Sequence, residues 1–242
     1  MDIVKYLQAQ GIGSRKMCRI LLQQERILID GALPSHEITD TSNIKQLMID
    51  GKSLPALPLP YFYILLNKPA GFETSHKPTH YPSVFSLLPT HWQNLSLQAV
   101  GRLDADTEGV LLITNDGSLN HFLTSPKHHV VKIYHATLKH AADDDLCHQL
   151  TQGVVLRDRN EEESVQAIAA ELKNPHLLAL SIDSGQYHQV KRMISACGNR
   201  VEYLERIAFA SLQTGDLSRG QWRLLSPQEI EALRYNSQQQ IK

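Results

Sequence analysis

Between Leu54 and Pro60 the chain reads Leu-Pro-Ala-Leu-Pro-Leu-Pro. Three prolines there remove backbone donors and fix φ, so the stretch can form neither a helix nor a central strand. It is expected to act as a semi-rigid linker over residues 55–60, dividing the chain into a small module at 1–54 and a larger domain at 61–242. No apolar run approaches the roughly 20 residues that a bilayer span needs, which excludes a membrane role. Met1-Asp2-Ile3-Val4-Lys5 lacks a basic region leading into an apolar core, so the cytoplasm is the expected compartment. With 24 basic and 25 acidic residues the net charge is -1, which argues against coating nucleic acid by bulk electrostatics and leaves local patches to do any binding. The cysteines, Cys18, Cys147 and Cys197, are scattered and odd in number, which argues against a disulfide framework or a zinc knuckle.

The small module reads as two helices and a strand. Ile3 and Leu7 start a first helix, which breaks at Gly11-Ile12-Gly13. Ser14 then caps a second helix running to about Gln24. Met17, Leu21 and Leu22 fit its apolar stripe, and Arg15, Lys16 and Arg19 share the other side, which on pattern alone is a solvated face. Ile27-Leu28-Ile29 is a strand ending in the turn signal Asp30-Gly31.

Beyond the linker, strands are expected at 61–66, 97–103, 110–114, 130–138, 154–156, 164–169, 177–182, 207–212 and 221–224. Helices are expected after Asn115-Asp116-Gly117 with Ser118 as cap, from Asp143 to just before Gly153, over 186–196, and from Ser226-Pro227-Gln228-Glu229, which has the form of a capping box. Strands outnumber helices, and most connections are too short for parallel crossovers. The fold class is therefore α+β, with a mixed, mainly antiparallel sheet.

Gly101-Arg102-Leu103-Asp104-Ala105-Asp106-Thr107-Glu108-Gly109 crowds three carboxylates and an arginine between glycines, ahead of the apolar run Val110 to Ile113. Residues 104–109 match the first half of a calcium loop, but the twelfth position is Asn115 and strands flank the loop where helices should, so a calcium site is not expected. Paired carboxylates for glycoside hydrolysis need a separation that a short loop does not guarantee. In a third reading one aspartate reacts and the others shape the loop; it needs a fixed cation, either Arg102, which a continuing strand would put on the same face as Asp104, or Lys191 or Arg192 on the later helix.

Gly101-Arg102-Leu103-Asp104, Asp106-Thr107-x-Gly109 and Thr114-Asn115-Asp116-Gly117 together resemble the signature of the RsuA-like pseudouridine synthases, which isomerise uridines in ribosomal RNA. The resemblance extends to Leu66-Asn67-Lys68-Pro69-x-Gly71, to Ser125-Pro126-Lys127-His128-His129 with Lys132-Ile133-Tyr134, and to Tyr187-His188-Gln189-Val190-Lys191-Arg192-Met193, all in the family's order. The first module resembles an S4 RNA-binding domain at Ser14-Arg15 and Ile29-Asp30-Gly31. The later motifs look most like small-subunit 16S members of the family.

The resemblance implies an S4-like α/β module joined to a pseudouridine synthase domain, with Asp104 as catalytic aspartate, Tyr134 stacking on the uracil and Lys191 pairing with Asp104. Arg102 is assigned to the flipped-out nucleotide or its phosphate. Arg15, Lys16, Arg19, Lys127, Lys132, His188 and Arg192 are assigned to RNA, while Asp106 and Glu108 shape the loop. No metal or cofactor is called for. The expected partner of this monomer is ribosomal RNA, free or in a subunit assembly intermediate. The chain departs from the family at Ser184-Gly185-Gln186, where a glutamate usually precedes the glycine and a basic residue follows, and at Tyr203 to Ala208, where a histidine and arginine pair is usual. The alternatives are a large-subunit 23S enzyme of the same family, a non-catalytic ribosome-assembly factor that keeps the fold, and a metal-dependent enzyme using the acidic loop.

Overall fold

The structure, a computed structural model, describes residues 1–38, 44–157 and 162–239. At the N-terminus, α1 (Ile3–Ala9) and α2 (Arg15–Gln23) pack over a sheet of β1 (Ile27–Ile29), β2 (Gln46–Ile49) and β3 (Lys52–Pro55), joined antiparallel in that order. Ser14 caps α2 by accepting from the Met17 amide at 3.3 Å. The apolar stripe of α2 is turned from the expected one: Cys18 and Leu21 are buried, while Met17, one residue off that face, is 48% exposed. Pro55 ends β3 at the edge of this sheet, where a missing donor is tolerated. The proline-rich stretch beyond it is docked rather than free. Leu57 is buried, and its amide and carbonyl both bond the buried Gln10 side chain, at 2.7 and 2.8 Å.

The rest of the chain is built on a nine-stranded sheet. Its main path runs β10 (Ala169–Asn174), β11 (Leu177–Ile182), β7 (Lys132–Leu138), β12 (Val201–Phe209), β6 (Glu108–Thr114), β4 (Tyr63–Lys68) and β14 (Trp222–Leu224). β5 (Gln98–Ala99) adds to β6, and β13 (Leu212–Gln213) adds to β12. Among its described pairings only β12 with β6 is parallel, so the sheet is mixed and mainly antiparallel. Residues along β4 alternate between two cores. Ile64 and Leu66 join the core under α4 (Asp144–Gln152) and α5 (Gln189–Ala196). Tyr63 and Leu65 join the core under α3 (Gly117–Thr124) and α6 (Pro227–Gln239). β8 (Val154–Arg157) and β9 (Glu162–Val165) form a separate hairpin.

Several expected boundaries move. The strand expected over 97–103 stops at Ala99, because Gly101 turns the chain with φ at 72°, and Arg102 and Asp104 lie on a loop. The cap of α3 is Asp116 rather than Ser118: its carboxylate accepts from the Leu119 amide at 3.0 Å and from the Tyr63 hydroxyl at 2.7 Å. The segment 164–169 is not one strand, since β9 pairs with β8 and the chain then crosses to the main sheet as β10. α5 starts only at Gln189, because His188 is left-handed at φ 49°. In the capping box at α6, Ser226 and Glu229 bond each other reciprocally, at 2.8 and 3.2 Å. Among the described residues no helix is long and apolar enough to cross a membrane.

Candidate active site

The loop between β5 and β6 carries Asp104 to the wall of a cavity of about 120 Å³. Around it stand Tyr134 and Lys132 from β7, His188 and Lys191 from the start of α5, and Arg206 from β12, with Arg102 on the same loop as Asp104. The loop is held from beneath by Lys68, whose side chain is completely buried at the end of β4. Its ammonium donates to the carbonyls of Thr107 (2.7 Å), Asp104 (3.0 Å), Pro69 (3.0 Å) and Ala105 (3.2 Å). Four carbonyl dipoles converge on one charge there, and burial still lowers the lysine pKa to about 8. Two further bonds fasten the loop from outside, from the Gly71 amide to the Ala105 carbonyl (2.8 Å) and from the Thr74 hydroxyl to the Leu103 carbonyl (2.9 Å).

Gly109 is the second residue of β6. A Cβ there would lie 2.2 Å from the Arg206 carbonyl oxygen, and φ is +101°, so the parallel contact between β6 and β12 requires glycine. On the far side of this junction Glu108 takes hydrogen bonds from Tyr203 and Arg219, both at 2.5 Å, and Arg219 also reaches Glu205 at 2.9 Å.

Lys191 Nζ lies 3.1 Å from Asp104 Oδ2 and 2.6 Å from Asp106 Oδ1, so one ammonium serves two carboxylates. Burial disfavours charge on the lysine, but the two hydrogen bonds outweigh it and raise its pKa. Burial likewise pushes Asp106 up, and the bond and charge of Lys191 more than reverse that, leaving its pKa lowered. His188 Nε2 lies 3.4 Å from Asp104 Oδ1, on the other carboxylate oxygen. The left-handed turn at His188 stacks its ring on that of Tyr187, with centroids 3.8 Å apart. Tyr134 is buried and pairs across the sheet with Leu180 on one side and Arg206 on the other, so its ring and the Arg206 side chain share a face. This wall offers one oriented carboxylate, one buried aromatic ring and several cations. That set suits a planar base delivered beside a reacting carboxylate.

Residues 62–196 match the family described as RNA pseudouridylate synthase. The chain is 36% identical over 237 residues to ribosomal small subunit pseudouridine synthase A of Yersinia pestis, covering 96% of this chain and 98% of that protein. The chain belongs to the RNA pseudouridylate synthase family. It is an isomerase by that membership. The same-named protein of Escherichia coli (strain K12) is 35% identical, with 96% of this chain and 100% of that protein covered. A solved pseudouridylate synthase superposes with a TM-score of 0.66 at 29% identity, covering 96% of this chain and 99% of that one.

The enzyme gathers Asp104, Tyr134, Lys191, Arg102, Lys132 and His188 around one cavity. Arg102 is exposed there, and Lys132 is anchored by donating to the carbonyls of Val130 (2.7 Å) and Asp183 (3.2 Å). The other assigned cations lie elsewhere. Lys127 sits exposed on a short 3₁₀ turn, Pro126–His128, away from the cavity wall. Arg192 faces a separate depression beside Val155 and Ser195. Arg15, Lys16 and Arg19 are exposed on α2. Sequence reasoning missed Lys68 and Arg206 as parts of the site. A lysine at the end of a mostly apolar strand was the available signal for the first; for the second it was an arginine in step with Leu204, two residues before it.

Proposed function

We propose that this isomerase converts uridine to pseudouridine in small-subunit 16S ribosomal RNA, with Asp104 as the reacting carboxylate. The observation that carries this reading is the pairing of Asp104 with Lys191 at 3.1 Å beside the buried ring of Tyr134 in one cavity. The reaction breaks N1–C1′ and forms C5–C1′; a proton leaves C5 and one is gained at N1, with nothing oxidised or reduced. The carboxylate serves as nucleophile or as base, and the hydrogen bond from Lys191 keeps it aimed. A uridine stacked in RNA cannot present both C1′ and C5 to one carboxylate, so it flips out, stacks on Tyr134, and leaves a gap that Arg102 fills. The names of the full-length relatives in Yersinia pestis and Escherichia coli support the small subunit as the source of the substrate.

The reading extends to the N-terminal residues. Residues 1–54 act as an S4-like RNA-binding module, 55–60 as a docked linker and 61–242 as the catalytic domain. Arg15, Lys16 and Arg19 on α2, together with Lys127, Lys132, His188 and Arg192, meet phosphates, so affinity falls steeply with salt. The protein works as a cytoplasmic monomer on free rRNA or an assembling subunit. Tritium release from small-subunit rRNA carrying [5-³H]uridine tests the chemistry: wild type releases label and Asp104→Asn does not, and equal silence from both would refute it. Mapping pseudouridines in rRNA from cells lacking the gene identifies the target.

A further inference from the structure

Arg206 is only 2% exposed, yet its surroundings do not account for its charge. Its Nε donates to the Val110 carbonyl at 2.8 Å, and its Cζ lies 5.1 Å from the centroid of the Phe209 ring. Its Nη2 is enclosed and has no hydrogen-bond partner among the described residues. No carboxylate pairs with it among those residues, and Lys132, whose charge its own opposes, lines the same cavity. A buried cation with an open donor is costly unless something that binds supplies the acceptor. Arg206 stands directly across from Tyr134 on the neighbouring strand, and both line the cavity that holds Asp104.

We infer that the Arg206 guanidinium receives a carbonyl oxygen of the flipped-out uracil and balances the negative charge that the ring acquires when it is detached. This rests on the isomerase reading of the cavity. When N1–C1′ breaks, its electron pair stays with the ring and spreads over O2 and O4. The charge comes from the Asp104 carboxylate, which has either bonded to C1′ or taken a ribose proton. After the ring turns, C5 donates that pair to C1′, the C5 proton departs and N1 takes one up, so the product is neutral. On either route a fixed cation beside the stacked ring favours the charged intermediate, whereas water is too displaced there to do so. A base rather than a phosphate is the partner, because Arg206 lies buried alongside Tyr134 while exposed Arg102 stands free for the backbone.

Single-turnover tritium release from a [5-³H]uridine small-subunit rRNA transcript tests this with wild type, Arg206→Gln and Arg206→Lys, alongside thermal melts and RNA binding. The glutamine variant is expected to react about 100-fold more slowly, the usual cost of one lost donor to a developing anion. Its RNA affinity should stay within about threefold of wild type, its melting temperature should not fall, and lysine should recover part of the rate. A wild-type rate in the glutamine variant would overturn the inference. So would a loss confined to RNA affinity, which places the guanidinium on a phosphate, or a rate loss that follows a lowered melting temperature and is not recovered by lysine. Silence from wild type itself would remove the isomerase reading, and the inference with it.

Discussion

Two buried cations flank the loop that carries Asp104, and they are solved differently. Beneath the loop, the Lys68 ammonium is surrounded by four backbone carbonyls, three of them belonging to the loop that presents Asp104. In the cavity wall, the Arg206 guanidinium has among the described residues one carbonyl, an aromatic face and an enclosed Nη2 without a hydrogen-bond partner. The first has its donors satisfied by the fold itself, although burial still lowers its pKa to about 8, and its contacts hold the loop in place. The second is left for a ligand to match, and the folded state carries the cost until one arrives. The difference separates scaffold from reactive surface at two sites joined through Gly109, where β6 meets the backbone of Arg206.

The junction between the two regions is the most sensitive point. Gly109→Ala would put a Cβ 2.2 Å from the Arg206 carbonyl oxygen, and soluble native protein should be lost, read by circular dichroism and gel filtration. Lys68→Met comes next: it frees the carbonyls that position Asp104, and a displacement near 1 Å costs about 100-fold in kcat. Stopped tritium-release assays check this, and an unchanged kcat would mean that the loop is held by its other bonds.

A pH effect of intermediate size follows from the same lysine. Its folded pKa of about 8 lies below the unfolded value of 10.5, so between these the unfolded chain binds more protons and stability rises with pH on its account. Relative to Lys68→Met, wild type should therefore gain about 2 kcal/mol from pH 7.5 to 10, measured by urea unfolding. The smallest effect belongs to Asp106→Asn, which leaves Lys191 to Asp104 alone; kcat should change by less than about tenfold, since Asp106 borders the proposed reacting carboxylate without replacing it.

What could be read from the sequence follows how local the determining physics is. That Asp104, Tyr134 and Lys191 line one cavity was foreshadowed by motifs occurring in order, although the Lys191–Asp104 contact joins residues 87 apart. The capping signals at Ser14, Asp143 and Ser226 are equally local, and each cap forms. The strand expected over 97–103 failed because an apolar run does not reveal that Gly101 takes a positive φ. Lys68 stayed hidden because its turn motif says nothing about which distant carbonyls will converge on it. Arg206 lay just outside the strand expected over 207–212, since a bulge between Arg206 and Ala208 breaks the alternation that would have revealed its face.

The contrast between the two cations is tested most directly by unfolding free energies at pH 7 for Lys68→Met and Arg206→Gln, each compared with wild type. Removing the matched charge strands its carbonyls, so Lys68→Met should lose about 3 kcal/mol, whereas removing the unmatched one should leave Arg206→Gln within about 1 kcal/mol of wild type. Equal destabilisation of the two variants, or an Arg206→Gln protein that unfolds more readily than Lys68→Met, would contradict the account.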